Sequence, residues 1–530
     1  MQLSFGAAWS GEWAFVVALG VVAFRDGGPT AVGLVAFLRM APPALIAPFS
    51  SVLADRFRRD HVLIVSGAIR AGALAAAAGL LATGVTTVAV YALAVLASGA
   101  FVAYRPAHSA LLPALCRTPL EFTSATVVRG LIGAVSTVLG PAASALILGV
   151  SSPAAAFGFV AALSALSALL VVRLSYETPA RVAYPSVHGI LSQVAEGFRA
   201  LAGQREASLL VRLALAQTFT RGCLTVLLVV VAFDLLGTGA AGAGVLTAAL
   251  GVGAVAGSVG ALASVTGRRL ATIQAIGVAL WGVPLVLSGV FPNGVAILGF
   301  MCAIGVGNAL VDLGLFTLLA RLAPQHLMGR IFGALEGLIA LMVALGALVT
   351  PLLIHVLGVR GALIAVGVVA PTLVAFVWPH LRHIDAFIVR RDDEIAMLKR
   401  VGMLQPLPLL AIENLALRTE RSHVAAGADV FQHGDSGDRF YIIHHGEAEV
   451  IGDGRLIRVL GPGDCFGEVA LLHDVRRTAT VRARTELDLY TLDREVFLSA
   501  VGDYSVSARE ADGLARDRLD AFTPSTFPPA

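Results

Sequence analysis

Residues 466–479 combine the residue types that bind a small anionic sugar phosphate. Gly467 allows backbone N–H groups to approach an anion, and a short helix that begins there would direct its positive end at the ligand. Glu468 can accept a hydrogen bond from a ribose hydroxyl, and Arg477 offers a planar fork of donors that matches two phosphate oxygens. Thr478 adds a hydroxyl beside that fork. The predicted site comprises Phe466, Gly467, Glu468, Val469, Ala470, Arg477, Thr478 and Ala479.

Local elements on both sides must hold these side chains in place. Residues 461–463 read Gly-Pro-Gly, which predicts a tight turn before the site. The residues after Arg477 alternate between polar and apolar, which predicts a strand that closes the pocket. Residues 381–410 place apolar side chains at helical intervals among charges and predict an amphipathic linker helix, and residues 506–522 predict a further helix.

The composition separates the chain into an apolar part and a more polar part. Of the 530 residues, 57% are hydrophobic and 14% are charged, against about 25% charged in an average soluble chain. Long apolar runs succeed one another up to about residue 380, and charge density rises after it. We expect a polytopic membrane domain followed by a soluble domain. The net charge of +3 is too small to indicate a nucleic-acid partner.

The cysteines and the remaining motifs argue against a metal site and against an enzyme. The four cysteines are isolated and have neither metal-ligand nor disulfide-framework spacing. The sequence contains no nucleophile elbow, Walker motif, metal cluster or kinase motif. We therefore expect a non-enzymatic protein without a metal cofactor.

Segments long enough to cross about 30 Å of hydrocarbon form two sets of six. The first set lies at roughly 4–24, 31–53, 62–83, 87–107, 124–149 and 153–174. The second set lies at roughly 208–232, 240–264, 271–291, 294–318, 330–354 and 360–379.

The distribution of arginine predicts the orientation of these spans. Arginines cluster in the loops after spans two, four, six, eight and ten. The positive-inside rule assigns such loops to the cytoplasm. With an even number of spans, both termini are cytoplasmic, and the expected location is the cell (inner) membrane. The sugar-phosphate site then lies in the cytoplasm.

A weak internal repeat relates the two sets of spans. Residues 33–35, Gly-Leu-Val, precede an arginine-rich loop after span two, and residues 244–246, Gly-Val-Leu, precede another after span eight. Duplicated six-helix halves are typical of secondary transporters, in which the substrate site lies between the halves near the bilayer midplane.

The sugar-phosphate site resembles the phosphate-binding cassette of cyclic-nucleotide-binding domains, a β-roll present in cAMP-dependent kinase regulatory subunits and cyclic-nucleotide-gated channels. The resemblance covers roughly residues 400–520. It implies that Glu468 holds the ribose 2′-OH and Arg477 the cyclic phosphate of cAMP, with cGMP as the alternative ligand. Arg476 stands where the family often has proline, and we expect it to face solvent. A β-roll that keeps the fold and binds no nucleotide is the alternative interpretation.

The loop after span two reads LADRFRR at residues 53–59. It resembles the loop motif of the major facilitator superfamily, although Ser51 stands in place of the usual leading glycine. That resemblance implies a conformational latch between the halves, formed by Asp55, Arg56 and Arg59.

Other segments are similar to one branch of this superfamily, which contains enterobactin-type exporters and macrolide efflux proteins. The resemblance implies export of a small molecule, and the Gly140-Pro141 pair matches part of the antiporter motif of drug exporters, which implies proton coupling. The segments are Gly11-Glu12-Trp13, Arg105-Pro106-Ala107, Leu111-Leu112-Pro113, Gly140-Pro141, and Pro324 with Gly329-Arg330.

Several charged residues fall within predicted spans, where each must face a cavity or pair with another charge. We expect Glu12 and Arg39 to pair between spans one and two, and Asp312 and Glu336 to bind Arg321 or Arg330 at the interface. The functional hypothesis makes Glu12 or Asp312 a proton-coupling carboxylate beside an anion-tolerant cavity. The candidate cavity residues are Glu12, Arg39, Arg129, Arg221, Asp312 and Glu336.

The predicted fold is an all-α bundle of twelve transmembrane helices in two pseudo-repeated halves, followed by a β-roll with flanking helices. The predicted function is secondary transport regulated by cytoplasmic cyclic nucleotide. A membrane-anchored nucleotide sensor without transport and a lysolipid translocator are the alternatives. No motif in the sequence identifies the transported small molecule or the oligomeric state. The predicted domains are 1–175, the first half; 176–207, a central cytoplasmic loop; 208–380, the second half; 381–410, the linker; 411–522, the nucleotide domain; and 523–530, a tail.

Overall fold

The computed structural model forms two compact units, Met1–Asp385 and Ala386–Ala530. Its described residues are 1–56, 58–84, 87–115, 119–172, 199, 205–264, 269–322, 328–407, 412, 415–416, 418–502 and 513–514.

The first unit is entirely helical over its described residues. Its helices are α1 (Gln2–Arg56), α2 (Arg59–Thr83), α3 (Thr87–Phe101), α4 (Tyr104–Ala114), α5 (Pro119–Val150), α6 (Pro153–Val172), α7 (Arg205–Val230), α8 (Gly239–Ser264), α9 (Leu270–Val290), α10 (Gly294–Leu322) and α11 (Met328–Leu398). A π-helical turn, Val231–Leu235, continues α7.

The longest helices, α1 and α11, each contain a backbone break at glycine. Gly28 has φ of +60° in α1, and Gly358 has φ of +70° in α11, a conformation that glycine adopts without a steric penalty. Ten helices among the described residues are long and apolar enough to cross a membrane. Because α1 and α11 are each long enough for two crossings, the breaks yield twelve spans. The predicted twelve-helix membrane bundle is confirmed, and the protein is an integral membrane protein.

Small residues allow helices of the two six-helix halves to approach closely. A Cβ atom on Gly244 of α8 would lie 2.6 Å from the Cβ of Ala145 in α5. A Cβ atom on Gly251, two turns further along α8, would collide with the carbonyl oxygen of Thr137 in α5. Close backbone contact through small residues is a common means of helix association in membranes, where lipid supplies no hydrophobic driving force.

The second unit contains two four-stranded antiparallel sheets. Their strand orders are β1-β8-β3-β6 and β2-β7-β4-β5. The strands are β1 (Glu420–Val424), β2 (Asp429–Phe431), β3 (Arg439–His445), β4 (Ala448–Gly452), β5 (Arg455–Leu460), β6 (Cys465–Phe466), β7 (Thr480–Ala483) and β8 (Leu487–Asp493). The unit also contains α12 (Glu468–Leu472), which lies between β6 and β7 in the chain, and α13 (Arg494–Gly502), which follows β8.

Two hydrophobic clusters stabilise the second unit. One lies among the strands and includes Ile443, Phe466 and Val481. The other packs α13 and the residues around 397–416 against β3 and β8, and its rings Phe440 and Phe497 stack at 4.4 Å. Because β3 and β8 contribute to both clusters, their apolar residues form nearly continuous runs rather than a strict alternation. The predicted β-roll with flanking helices is confirmed.

Candidate functional site

The eight residues of the predicted sugar-phosphate site line one cavity in the second unit. The cavity has a volume of about 270 Å³. The strand β6 supplies Phe466, the turn supplies Gly467, and α12 supplies Glu468, Val469 and Ala470. The segment that leads into β7 contributes Arg477, Thr478 and Ala479.

The backbone at Gly467 shapes the cavity. Its φ is +90°, in the left-handed region, and it joins the end of β6 to the first residue of α12. A Cβ atom there would lie 2.7 Å from Nη1 of Arg477 and 3.1 Å from the carbonyl oxygen of Arg439. Only glycine therefore permits both the turn and the close approach of the guanidinium group.

Backbone and side-chain contacts both fix Arg477. Its carbonyl oxygen accepts from the N–H of Gly434, and its own N–H donates to the carbonyl oxygen of Asp435, both at 2.9 Å. In the side chain, Nη1 donates to the carbonyl oxygen of Gly467 at 3.0 Å and Nη2 to that of Arg439 at 2.9 Å. The guanidinium carbon lies 4.2 Å from the ring centroid of Phe431.

The environment of Arg477 favours a bound anion. The residue is only 2% exposed, and burial lowers the pKa of its guanidinium, although arginine remains protonated in proteins. A carboxylate oxygen of the exposed Asp438 lies 3.5 Å from Nη2 of Arg477. The buried Nε of Arg477 has no hydrogen-bond partner among the described residues. A buried cation with an unused donor at a cavity wall is suited to an anionic ligand.

Glu468 brings a carboxylate to the same cavity. It is the first residue of α12 and only 1% exposed. Its carboxylate can accept a hydrogen bond from a ligand hydroxyl, while the guanidinium of Arg477 attracts the negative part of the ligand. The cavity therefore combines an acceptor for a hydroxyl with a cation for an anion.

The rest of the cavity wall was not assigned residue by residue from the sequence, although the strand after Arg477 was predicted to close the pocket. Its residues come from β2, β4, β5 and β7 and from one residue near the C-terminus, so they are distant from the motif in the chain. They are Phe431, Val450, Ile457, Arg458, Leu460, Val481 and Leu514. Strand alternation was the available signal for Phe431 and Val450. Most of the predicted helix at 506–522 lies outside the described residues.

Arg476 takes no part in the cavity wall. It is exposed, and its Nη1 donates to the carbonyl oxygen of Gly434 at 2.9 Å. The two adjacent arginines therefore differ completely in environment, and Arg476 offers a matched control for Arg477.

In the first unit, Glu12 contacts two arginines. Its Oε1 accepts from Nη1 of Arg39 at 2.8 Å, as expected for the pair between spans one and two. Its Oε2 lies 2.6 Å from Nη2 of Arg70, a residue that the sequence left without a partner. Arg70 is 2% exposed and lies 4.2 Å from the ring centroid of Phe101 and 5.5 Å from that of Phe15.

The other candidate charges lie on helices of both halves. Nη1 of Arg129 donates to Oγ of Ser109 at 2.9 Å, and Oδ2 of Asp312 accepts from Nδ2 of Asn308 at 3.1 Å. Arg221 is exposed and is close enough to Asp312 for an electrostatic interaction.

The carboxylate of Glu336 pairs across the halves with Arg105, at 3.4 Å. The sequence assigned Arg105 only to a family motif and missed this pairing. The side chains of Arg321 and Arg330, the expected interfacial arginines, are outside the described part of the chain.

The predicted latch residues lie where α1 gives way to α2. Asp55 and Arg56 form the end of α1, and Arg59 begins α2. The side chains of Asp55 and Arg56 are outside the described residues, so the latch contacts stay a prediction. The same holds for most of the central loop at 176–207. Among the described residues, no group of His, Cys, Asp and Glu is arranged to hold a metal ion.

Comparisons with known proteins match the two units to two families. The model of the Major Facilitator Superfamily matches residues 3–347, and that of the cyclic nucleotide-binding domain matches residues 421–504. An uncharacterized protein of Mycobacterium tuberculosis is 37% identical over 145 residues, which are 27% of each chain. The cAMP-dependent protein kinase regulatory subunit of Schizosaccharomyces pombe is 38% identical over 109 residues, 20% of this chain and 26% of that protein.

One similar solved structure is the regulatory domain of Toxoplasma gondii PKA with cAMP, at 27% identity and a TM-score of 0.23. That likeness covers 26% of this chain and 52% of the other. The match thus spans only about a quarter of the length of the curated relatives. Because the first family model matches more than half of the chain, the protein belongs to the Major Facilitator Superfamily, and it carries a C-terminal cyclic nucleotide-binding domain.

Proposed function

We propose that this protein is a secondary active transporter of a small molecule and that a cyclic nucleotide bound to its C-terminal domain regulates transport. The observation that carries the proposal is the cavity lined by both Arg477 and Glu468, each almost completely buried. These groups match the ionised phosphate and the ribose hydroxyl of a cyclic nucleotide. We assign cAMP as the ligand, in keeping with the named kinase relatives, with cGMP as the alternative.

The cyclic phosphate and the ribose 2′-OH of the ligand each have an assigned partner. Arg477 binds the cyclic phosphate through the donors that its backbone contacts leave unused, and Glu468 accepts from the 2′-OH. The hydroxyl of Thr478 lies on the same wall and is compatible with either purine. The apolar side chains of Val450 and Leu460 form a surface for the base.

Regulation requires that the nucleotide bind one transport conformation more tightly than the other. The same coupling must then change nucleotide affinity when the transport substrate binds, because binding linkage is reciprocal. We place the protein in the cell (inner) membrane with both termini on the cytoplasmic side. The arginine-rich loops support this orientation, in which the C-terminal domain is exposed to cytoplasmic nucleotide.

We assign an anion-tolerant transport cavity to the charged residues of the first unit. With Arg70 and Arg105, which pair with Glu12 and Glu336, the six candidate residues give five arginines and three carboxylates, and such an excess of positive charge within the bilayer favours an anionic substrate. The residues are Arg39, Arg70, Arg105, Arg129, Arg221, Glu12, Asp312 and Glu336. Export rests on the branch resemblance.

For proton coupling we favour Asp312 over Glu12. Protonating Glu12 would leave two guanidinium groups without their counter-charge in the bilayer interior, which is strongly unfavourable. Asp312 accepts one hydrogen bond from an amide and is exposed. Transport driven by a pH gradient should be abolished by Asp312→Asn, and its retention would remove this assignment.

The test of the proposed function uses the full-length protein in nanodiscs. Isothermal titration with cAMP and with cGMP should give binding that Arg477→Ala abolishes and Arg476→Ala retains. Ion-gradient-driven transport in proteoliposomes should then change with nucleotide added to the side bearing the domain. Folded protein that releases no heat with either nucleotide would refute nucleotide regulation. Binding without any transport activity would favour the membrane-anchored sensor.

A further inference from the structure

The N-terminus of α9 is capped by a residue far away in the chain. Both oxygens of the Asp385 carboxylate face the first turn of α9: Oδ1 accepts from the N–H of Ala271 at 2.8 Å, and Oδ2 accepts from the N–H of Thr272 at 3.0 Å. Oγ1 of Thr272 also donates to Oδ2 at 2.6 Å. The helix has no local cap, because Arg269 makes no capping side-chain hydrogen bond.

The hydrogen bonds of Asp385 join α11 to the N-terminus of α9. A carboxylate at a helix N-terminus satisfies orphan N–H groups and interacts favourably with the helix dipole. Asp385 is 6% exposed, so water competes little for these bonds. In addition, α9 packs on the second segment of α11, where a Cβ atom on Gly367 would lie 2.7 Å from the carbonyl oxygen of Gly282. Three hydrogen bonds at Asp385 and close backbone packing at Gly367 therefore hold the second segment of α11 against α9.

The helix that provides the cap also leads to the nucleotide domain. Asp385 is the last residue of the first unit, and α11 continues beyond it to Leu398. Met397 and Leu398 are buried core residues of the second unit, in the cluster that contains Phe440 and Phe497. The helix that ends the transporter therefore also supplies core residues of the nucleotide domain.

From α9 the contacts continue to a helix of the proposed transport cavity. Gln274, one turn after the capped residues, is completely buried, and its Nε2 donates to the carbonyl oxygen of Leu210 in α7 at 3.0 Å. Arg221 of the proposed cavity lies on the same helix α7. The first turns of α9 therefore contact both Asp385 of α11 and Leu210 of α7 through polar groups.

We infer that Asp385 is the positioning residue that transmits nucleotide binding to the transporter, through α9 and Gln274 to α7. This inference rests on the proposed function. It assigns to the cap a role beyond the stability of α9, and the test must separate those roles. Asn293 provides the control, because it caps α10 locally by accepting from the N–H groups of Val295 at 2.9 Å and Ala296 at 3.3 Å.

The experiment measures the conformational equilibrium of the full-length protein directly. Spin labels are placed at Ser151→Cys and Val356→Cys, exposed positions in the two halves, after replacement of the native cysteines. Pulsed dipolar distances are recorded in nanodiscs with and without saturating cAMP, and cAMP binding is measured by calorimetry on the same samples. A coupled system should change its conformational equilibrium constant by roughly 5- to 150-fold.

Asp385→Ala should bind cAMP yet lose most of this change, and the milder Thr272→Val should lose part of it by removing one hydrogen bond. Asn293→Ala should keep the full change. The inference is overturned if both variants at the α9 cap respond like the wild type, or if Asn293→Ala loses the response equally. If Asp385→Ala does not fold, Thr272→Val decides. Failure of the unsubstituted protein to bind cAMP or cGMP, or to change distance on binding, would instead refute the proposed regulation.

Discussion

Replacing Arg477 by alanine should abolish nucleotide binding at micromolar concentrations. The guanidinium is almost completely buried, and its Nη1 and Nη2 are held by the carbonyl oxygens of Gly467 and Arg439. Removing one partner of a buried hydrogen-bonded charge pair costs about 2–5 kcal/mol. At about 1.4 kcal/mol per factor of ten, Kd should rise roughly 30- to 4,000-fold.

The same substitution should also destabilise the domain, because both carbonyl oxygens lose a donor. Each unsatisfied buried group costs about 1–3 kcal/mol. Thermal unfolding of every variant therefore accompanies the calorimetric titration of full-length protein, so that loss of binding is scored only for folded protein. Arg477→Lys keeps the charge but loses the planar fork, and it should give an intermediate Kd.

Arg476→Ala is the matched control, since it removes the neighbouring arginine, which is exposed and makes one hydrogen bond to Gly434. Its Kd should stay within about threefold of the wild type, as expected for a surface substitution. A folded Arg477→Ala protein with wild-type affinity would refute the assignment of this guanidinium to the phosphate. An equal loss of affinity in the Arg476→Ala control would show that general surface charge, rather than the buried fork, attracts the ligand.

Three further outcomes follow from individual contacts. Gly467→Ala should lower the unfolding midpoint, because the left-handed backbone conformation costs alanine about 1–2 kcal/mol. It should also weaken cAMP binding at least about tenfold, because the new Cβ would displace Arg477. An unchanged cAMP titration would contradict this prediction. Glu12→Ala should destabilise the first unit by about 3–5 kcal/mol, since two buried guanidinium groups lose their counter-charge; an unfolding midpoint equal to that of the wild type in detergent would argue against the cluster. The hydrogen bond that His423 donates to the carboxylate of Asp488 raises the pKa of His423, so this pair should stabilise the domain most at and below about pH 6.5 and progressively less as pH rises through the raised pKa. The difference in unfolding midpoint between wild type and His423→Gln, measured from pH 6 to 9, should shrink with pH, and a difference that grows would show the wrong sign.

The twelve spans could be predicted because membrane insertion depends on local properties of the sequence. Length and hydropathy located the segments, whereas the orientation indicated by the charge bias of the loops stays a prediction. The breaks at Gly28 and Gly358 separate spans that regular secondary structure would otherwise join. The central loop and the latch side chains stay predictions.

The residues of the candidate nucleotide site could be predicted to the extent that they are close in the chain. The turn at Gly467, the start of α12 at Glu468 and the side chain of Arg477 all lie within residues 466–479, so one motif contains the polar half of the cavity. The apolar half comes from β2, β4 and β5, and alternation in a strand says which face a residue occupies but not which cavity that face borders.

Long-range polar contacts were the part that local patterns could not supply. Arg105 and Glu336 are 231 residues apart, and Asp385 is 114 residues from Ala271. The sequence indicated that charges within spans need partners, and it correctly paired Glu12 with Arg39 because both lie at mid-depth on consecutive spans. It did not identify Arg70 as the second partner of Glu12.

The sequence by itself therefore determined the membrane helices, the β-roll and the polar motif of its cavity, because each depends on hydrophobic length, periodicity or residues adjacent in the chain. Only the tertiary structure decided which charges meet beyond the pair of Glu12 and Arg39, which side chains complete the cavity, and that Asp385 caps α9. Those pairings depend on how helices rotate and approach one another, and close packing at small residues such as Gly244 and Gly367 sets that geometry.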